Sequence, residues 1–147
     1  MRILIDGDGC PVISQSIKIA KKHNIKLVIL CDTSHNFDKY DVEIITMSKG
    51  NDAVDFEIVN KANNKDIVVT QDYGLATMLL SKGCIIINQN GLRYTNDNID
   101  MLLFTRYISK KMRDTKTKVK GPKKRTKQDN ENFEKSLENI IKHIREK

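Results

Sequence analysis

Five aspartates, Asp6, Asp8, Asp52, Asp55 and Asp72, are the residues of this chain whose type and spacing could do chemistry. Asp6 and Asp8 follow the apolar run Ile3-Leu4-Ile5, and Gly7 between them permits a tight turn. Asp52 and Asp55 stand three apart in the first turn expected of a helix, so their Cβ atoms share a face about 5–6 Å apart. Asp72 comes directly after Ile67-Val68-Val69-Thr70-Gln71. Carboxylates drawn together at strand ends repel one another, and loss of water raises their pKa values. A hard cation relieves that strain, because Mg²⁺ and Mn²⁺ prefer oxygen ligands. The pattern therefore predicts a divalent-metal site. Asp6, Asp52, Asp55 and Asp72 are its ligands, and Asp8 is a ligand or a supporting group. The simplest chemistry is metal-activated water attacking a phosphodiester, with Thr70 and Gln71 positioning water or phosphate.

Blander readings compete. Asp52 and Asp72 could each cap a helix, where acidic residues favour the dipole; that is a weaker account of all five together. Asp6-Gly7-Asp8-Gly9 also looks like the opening of haloacid-dehalogenase-type phosphatases, with Asp6 as covalent nucleophile. No later strand is followed by the two adjacent acids that such enzymes use. Cys10 precedes Pro11 at a helix start, but five carboxylates would raise its pKa, so a structural thiol is expected.

The elements that must hold these residues alternate. Apolar runs predict strands at 2–5, 25–31, 42–47, 67–70 and 84–87. Helices are expected from Pro11, at its first position, to about His23, then over about 51–62, 73–81 and 98–113. A last amphipathic helix from about Asp129 carries Phe133, Leu137, Ile140, Ile141 and Ile144 in one stripe, to be covered by this sheet or by a partner subunit. Such alternation calls for an α/β fold with a parallel sheet and ligands at the carboxyl ends of its strands. Residues 1–113 form the α/β domain, and 114–147 a basic linker and C-terminal helix.

Charge is uneven. Residues 110–127 hold ten Lys/Arg against one Asp, +9, leaving 16 basic and 18 acidic residues, −2, elsewhere. A near-neutral body with one polycationic stretch suggests a phosphate-bearing partner. Arg106, Lys110, Arg113, Lys120, Lys123, Lys124 and Arg125 are the candidate phosphate contacts. Three cysteines without CxxC spacing argue against a disulfide framework or a zinc site. No apolar run is long enough to span a membrane, and the N-terminus lacks a leader pattern, so a cytoplasmic protein is expected.

Three segments now carry a family likeness: Ile5-Asp6-Gly7-Asp8-Gly9-Cys10-Pro11-Val12, Gly50 to Asp55, and Thr70-Gln71-Asp72-Tyr73-Gly74-Leu75-Ala76. With Lys82-Gly83, Tyr94-Thr95, Arg106, Gly121-Pro122 and Phe133, they resemble the YaiI/YqxD family of bacterial proteins across nearly the whole chain. Gly7 and Gly9 replace the usual Ala, which should loosen the first acidic turn. That family is similar to the PIN-like group. The resemblance implies a three-layer α/β/α fold with five strands in the order 3-2-1-4-5, and Mg²⁺- or Mn²⁺-dependent ribonuclease activity at Asp6, Asp8, Asp52, Asp55 and Asp72. A non-catalytic nucleic-acid-binding module is the alternative, and a homo-oligomer is compatible with either.

Overall fold

The computed structural model describes all residues except His35, Lys49, Asn51, Asp52, 116–123 and Lys147. Its sheet begins with β1 (Arg2–Asp6), β2 (Lys26–Asp32) and β3 (Glu43–Met47), and continues with β4 (Ile67–Val69), β5 (Ile85–Ile87) and β6 (Arg93–Tyr94). The helices are α1 (Ile13–Lys22), α2 (Ala53–Lys61), α3 (Tyr73–Leu80), α4 (Ile99–Asp114) and α5 (Lys127–Arg145). None of them is long and apolar enough to cross a membrane, among the described residues.

The strand order is β3-β2-β1-β4-β5-β6, parallel through β5. The expected order of five is present. The sheet is nevertheless mixed and six-stranded, because β6 runs antiparallel to β5, pairing Ile86 with Tyr94 and Ile87 with Arg93. Two residues are too few to leave an alternating pattern, so this edge strand was not legible in the sequence.

Continuous apolar strands follow from burial on both faces. Ile3, Ile5, Leu27, Ile29, Ile67 and Val69 face a layer that includes Ile13, Ile17 and Ala20 of α1 and Phe133, Leu137 and Ile141 of α5. Leu4, Val28, Leu30 and Val68 face Val54 and Ile58 of α2, Leu75, Ala76 and Leu79 of α3, and Ile99 of α4. Phe133, Leu137 and Ile141 of the α5 stripe thus cover this sheet, while Ile140 and Ile144 are half-buried at its margin. Thr126 caps α5 in a reciprocal box, its hydroxyl accepting from the Asp129 N–H while the Asp129 carboxylate accepts from the Thr126 N–H. Lys18–Glu134 and Lys22–Glu138 ion pairs tie α5 to α1 at its rim.

Two glycines are fixed by close approach. A Cβ on Gly91, whose φ is +86°, would stand 2.8 Å from the Asn132 carbonyl oxygen on α5. One on Gly7 would stand 2.8 Å from Ile29 Cγ2, and the Gly7 N–H donates to the Leu30 oxygen at 2.8 Å. Gly7 therefore tightens the turn between the first two aspartates instead of loosening it. Pro11 also differs from expectation: it lies in the turn before α1, whose N-cap is Val12.

Phe133 is completely buried between α1 and the sheet, so α5 is expected to be part of the fold's core. Phe133→Ala should cost about 3–5 kcal/mol in urea unfolding, and half-buried Ile144→Ala distinctly less. Equal, small losses for both would show that α5 is dispensable.

Candidate functional site

Strand order reverses at β1, whose neighbours β2 and β4 lead away in opposite directions, and such a switch point opens a crevice at the strands' carboxyl ends. A cavity of about 760 Å³ lies there. Asp6 and Asp8 enter it from the end of β1 and Asp32 from the end of β2. Asp55 comes from the first turn of α2, and Thr70, Gln71 and Asp72 from the loop after β4. One side of α4 also lines it, with Leu102, Thr105, Arg106, Ser109 and Arg113.

Thr70 organises the floor. Its side chain is almost wholly buried, its hydroxyl donates to Asp6 Oδ2 at 2.8 Å, and Thr70 Oγ1 itself accepts from the Asp72 N–H at 3.0 Å. Beside the water or phosphate positioning expected of it, this residue has a structural role: it aligns Asp6 with Asp72. Asp72 Oδ1 caps α3, accepting from the N–H groups of Gly74 and Leu75 at 2.9 and 3.1 Å. The capping reading of Asp72 and its place in the cavity are thus both realised. Gln71 Nε2 donates to the Gly9 oxygen at 2.9 Å and so fastens the acidic turn to the β4 loop. The Asp32 N–H donates to Asp8 Oδ1 at 3.4 Å, which links the ends of β1 and β2.

Burial is the main force on Asp6. It pushes the carboxyl from the ordinary 3.8 up to about 6, against the Thr70 hydrogen bond, with Asp8 and Asp72 adding repulsion. Cys10 also lines the cavity, and burial lifts its thiol from 9.0 to about 11, so it stays protonated and un-nucleophilic, as expected.

The predicted phosphate contacts separate. Arg106 and Arg113 line the cavity, the Arg106 guanidinium standing 5.8 Å from the Tyr73 ring centroid. Tyr73 meets Tyr94 edge-on at 5.7 Å, and the Tyr94 hydroxyl donates to the Thr70 carbonyl at 3.2 Å. Lys110 is on α4 away from the cavity wall, and Lys124 is exposed. Arg125 is held structurally. Its Nε donates to Asn130 Oδ1 at 2.8 Å, Nη1 to Asn90 Oδ1 at 2.7 Å and Nη2 to the Gln89 carbonyl at 2.6 Å. Asp52, Lys120 and Lys123 lie outside the described residues. Asp32 was missed, although it ends an apolar run as Asp6 does.

An all-oxygen set of aspartates with a desolvated member suits a hard divalent cation by donor chemistry. Among the described residues, however, no group of three His, Cys, Asp or Glu side chains comes close enough to hold a metal ion.

The family model described as "Uncharacterized BCR, YaiI/YqxD family" matches residues 4–143 of this chain. The chain is 46% identical over 141 residues to a UPF0178 protein of Exiguobacterium sibiricum, covering 96% of each. To a UPF0178 protein of Clostridium acetobutylicum it is 44% identical over 143 residues, 96% of this chain and 97% of that one. Among solved structures, Rae1 (YacP) from Bacillus subtilis is similar at a TM-score of 0.41 and 15% identity, over 97% of this chain and 99% of that one. At that level nothing about site or activity transfers.

Desolvation of Asp6 has a measurable sign. The folded carboxyl keeps its proton to a higher pH than the unfolded one, so stability falls as pH climbs from about 4 to about 6 and the cost is complete above that. Asp6→Asn keeps an acceptor for Thr70 but carries no charge. It should stabilise the protein at pH 8 by up to about 3 kcal/mol, a gain that vanishes below pH 4; thermal melts across pH check this, and a pH-independent difference would contradict it.

Proposed function

The chain belongs to the YaiI/YqxD family, and from that premise we propose that it is a divalent-metal-dependent nuclease acting on RNA in preference to DNA. The observation that carries this reading is that Asp6, Asp8, Asp32, Asp55 and Asp72 line one cavity together with Arg106 and Arg113. An acidic floor alone repels phosphate. With a cationic wall beside it, a phosphodiester can be gripped by the guanidinium groups, whose paired N–H donors match phosphate oxygens.

Asp6, Asp55 and Asp72 would share Mg²⁺ or Mn²⁺ with Asp52, outside the described residues; the three described carboxylates do not by themselves come close enough to hold the ion. When bound, the ion supplies an activated water and neutralises charge developing on the phosphate. The chain's own side chains do the rest. Thr70 fixes the orientation of Asp6, the α3 cap fixes that of Asp72, and Gln71 anchors the turn bearing Asp8. Tyr73 braces Arg106. The preference for RNA rests on the likeness to PIN-like proteins.

A second reading, nucleic-acid binding without cleavage through Arg106, Lys110, Arg113 and Lys124, draws support from the lack of a three-ligand group among the described residues. The phosphatase reading draws less: the described cavity wall contains no lysine.

Asp72→Asn separates the first two. Asn caps helices as well as Asp, so stability should change by no more than about 0.5 kcal/mol. Cleavage of single-stranded RNA in Mg²⁺ or Mn²⁺ should fall about 100-fold or more, and the metal-induced rise in melting temperature should shrink. RNA that stays intact with wild-type protein and every divalent metal, yet binds in EDTA with a steep salt dependence, would establish the second reading instead.

A further inference from the structure

The side of α4 that turns away from the cavity carries a row of uncovered apolar side chains. Met101 is 73% exposed, Phe104 63%, Ile108 40% and Met112 41%. Successive spacings of three, four and four residues align them along one side of the helix. Contiguous exposed apolar surface of this kind marks an interaction site more often than a bare surface.

Charges along one edge of the row say what covers it. Asp100 stands at its N-terminal end and Lys111 at its C-terminal end, both on the edge that also holds Tyr107. Lys111 Nζ lies 5.6 Å from the Tyr107 ring centroid, which fixes it on that edge. Two copies of α4 crossing a two-fold axis antiparallel would bring like edges together, so that residue i meets j and j meets i. Phe104 then meets Ile108 of the second copy, Met101 meets Met112, and Asp100 meets Lys111. The residue numbers of these pairs add to 212, 213 and 211, so one register serves all three to within a residue. A parallel pairing would set this edge against the opposite edge of the second copy, so that Asp100 and Lys111 would not meet. The row is self-complementary in one direction only.

We propose that α4 is the interface of a two-fold dimer, and that its occupant is a second copy of this chain packed antiparallel. Leu102, Thr105, Arg106, Ser109 and Arg113 keep lining the cavity on the adjoining side of the helix, so each subunit's cavity stays open. One helix pair covers less than the about 800 Å² per partner of a standard interface, so the dimer should dissociate on dilution.

Sedimentation equilibrium over a concentration series tests this. The wild-type mass should rise from 16.9 kDa towards twice that value. Phe104→Asp should remain monomeric throughout with an unchanged melting temperature, because Phe104 is mostly exposed. Asp100→Lys and Lys111→Asp should each weaken dimerisation about tenfold, since each sets like charges together twice per dimer. The double variant Asp100→Lys/Lys111→Asp should recover most of the loss, with circular dichroism confirming the helix in all three. A wild type that is monomeric at every concentration would overturn the proposal, as would a dimer that survives Phe104→Asp or a double variant no tighter than the singles. If the protein is monomeric and Phe104→Asp instead weakens RNA binding, the row is a nucleic-acid surface and the dimer is wrong.

Discussion

One hydroxyl group ties the candidate site to the sheet. Thr70 has a single proton to give, and Asp6 receives it; its oxygen in turn receives the N–H of Asp72. That exchange joins the ends of β1 and β4, the two strands between which the chain's order reverses. A carboxylate buried this far needs at least one donor, because an unpaired buried charge is far costlier than a paired one. The strand ends, the start of α3 and the acidic floor are consequently one unit. Tyr94, from the antiparallel edge strand, braces the same residue from behind through the Thr70 carbonyl. Loss of the edge strand would be felt at the aspartates.

The sequence was most informative where burial is two-sided. Strands such as Leu27–Cys31 are apolar without a break because helices cover both faces of the sheet, and their acidic ends mark where it meets the cavity. The same rule, applied evenly, would also have selected Asp32. Other features depend on partners distant in the chain. Gly7 is read as slack from its neighbours alone, and only Ile29, brought alongside by β-pairing, shows it to be tight. Arg125 belongs by composition to a polycationic stretch, yet three oxygens from Gln89, Asn90 and Asn130 claim it. Nor do the neighbours of Thr70 in the sequence show that its hydroxyl joins Asp6 to Asp72.

Helix α4 shows how one amphipathic pattern can serve two ends. Its only fully buried residue is Ile99, so packing against α3 holds it at one end while most of its length borders solvent. One side supplies arginines to the cavity and another displays methionines and Phe104. Helices that contribute little to a core are freer to respond to what binds them.

Arg125 has a last consequence. Arg113 lines the cavity, and Arg125, further along the polycationic stretch, grips the carbonyl of Gln89, which lines the same cavity. One guanidinium on the lining and a second held against a lining residue set positive charge beside the acidic floor, so any polyanion reaching the aspartates would meet it there.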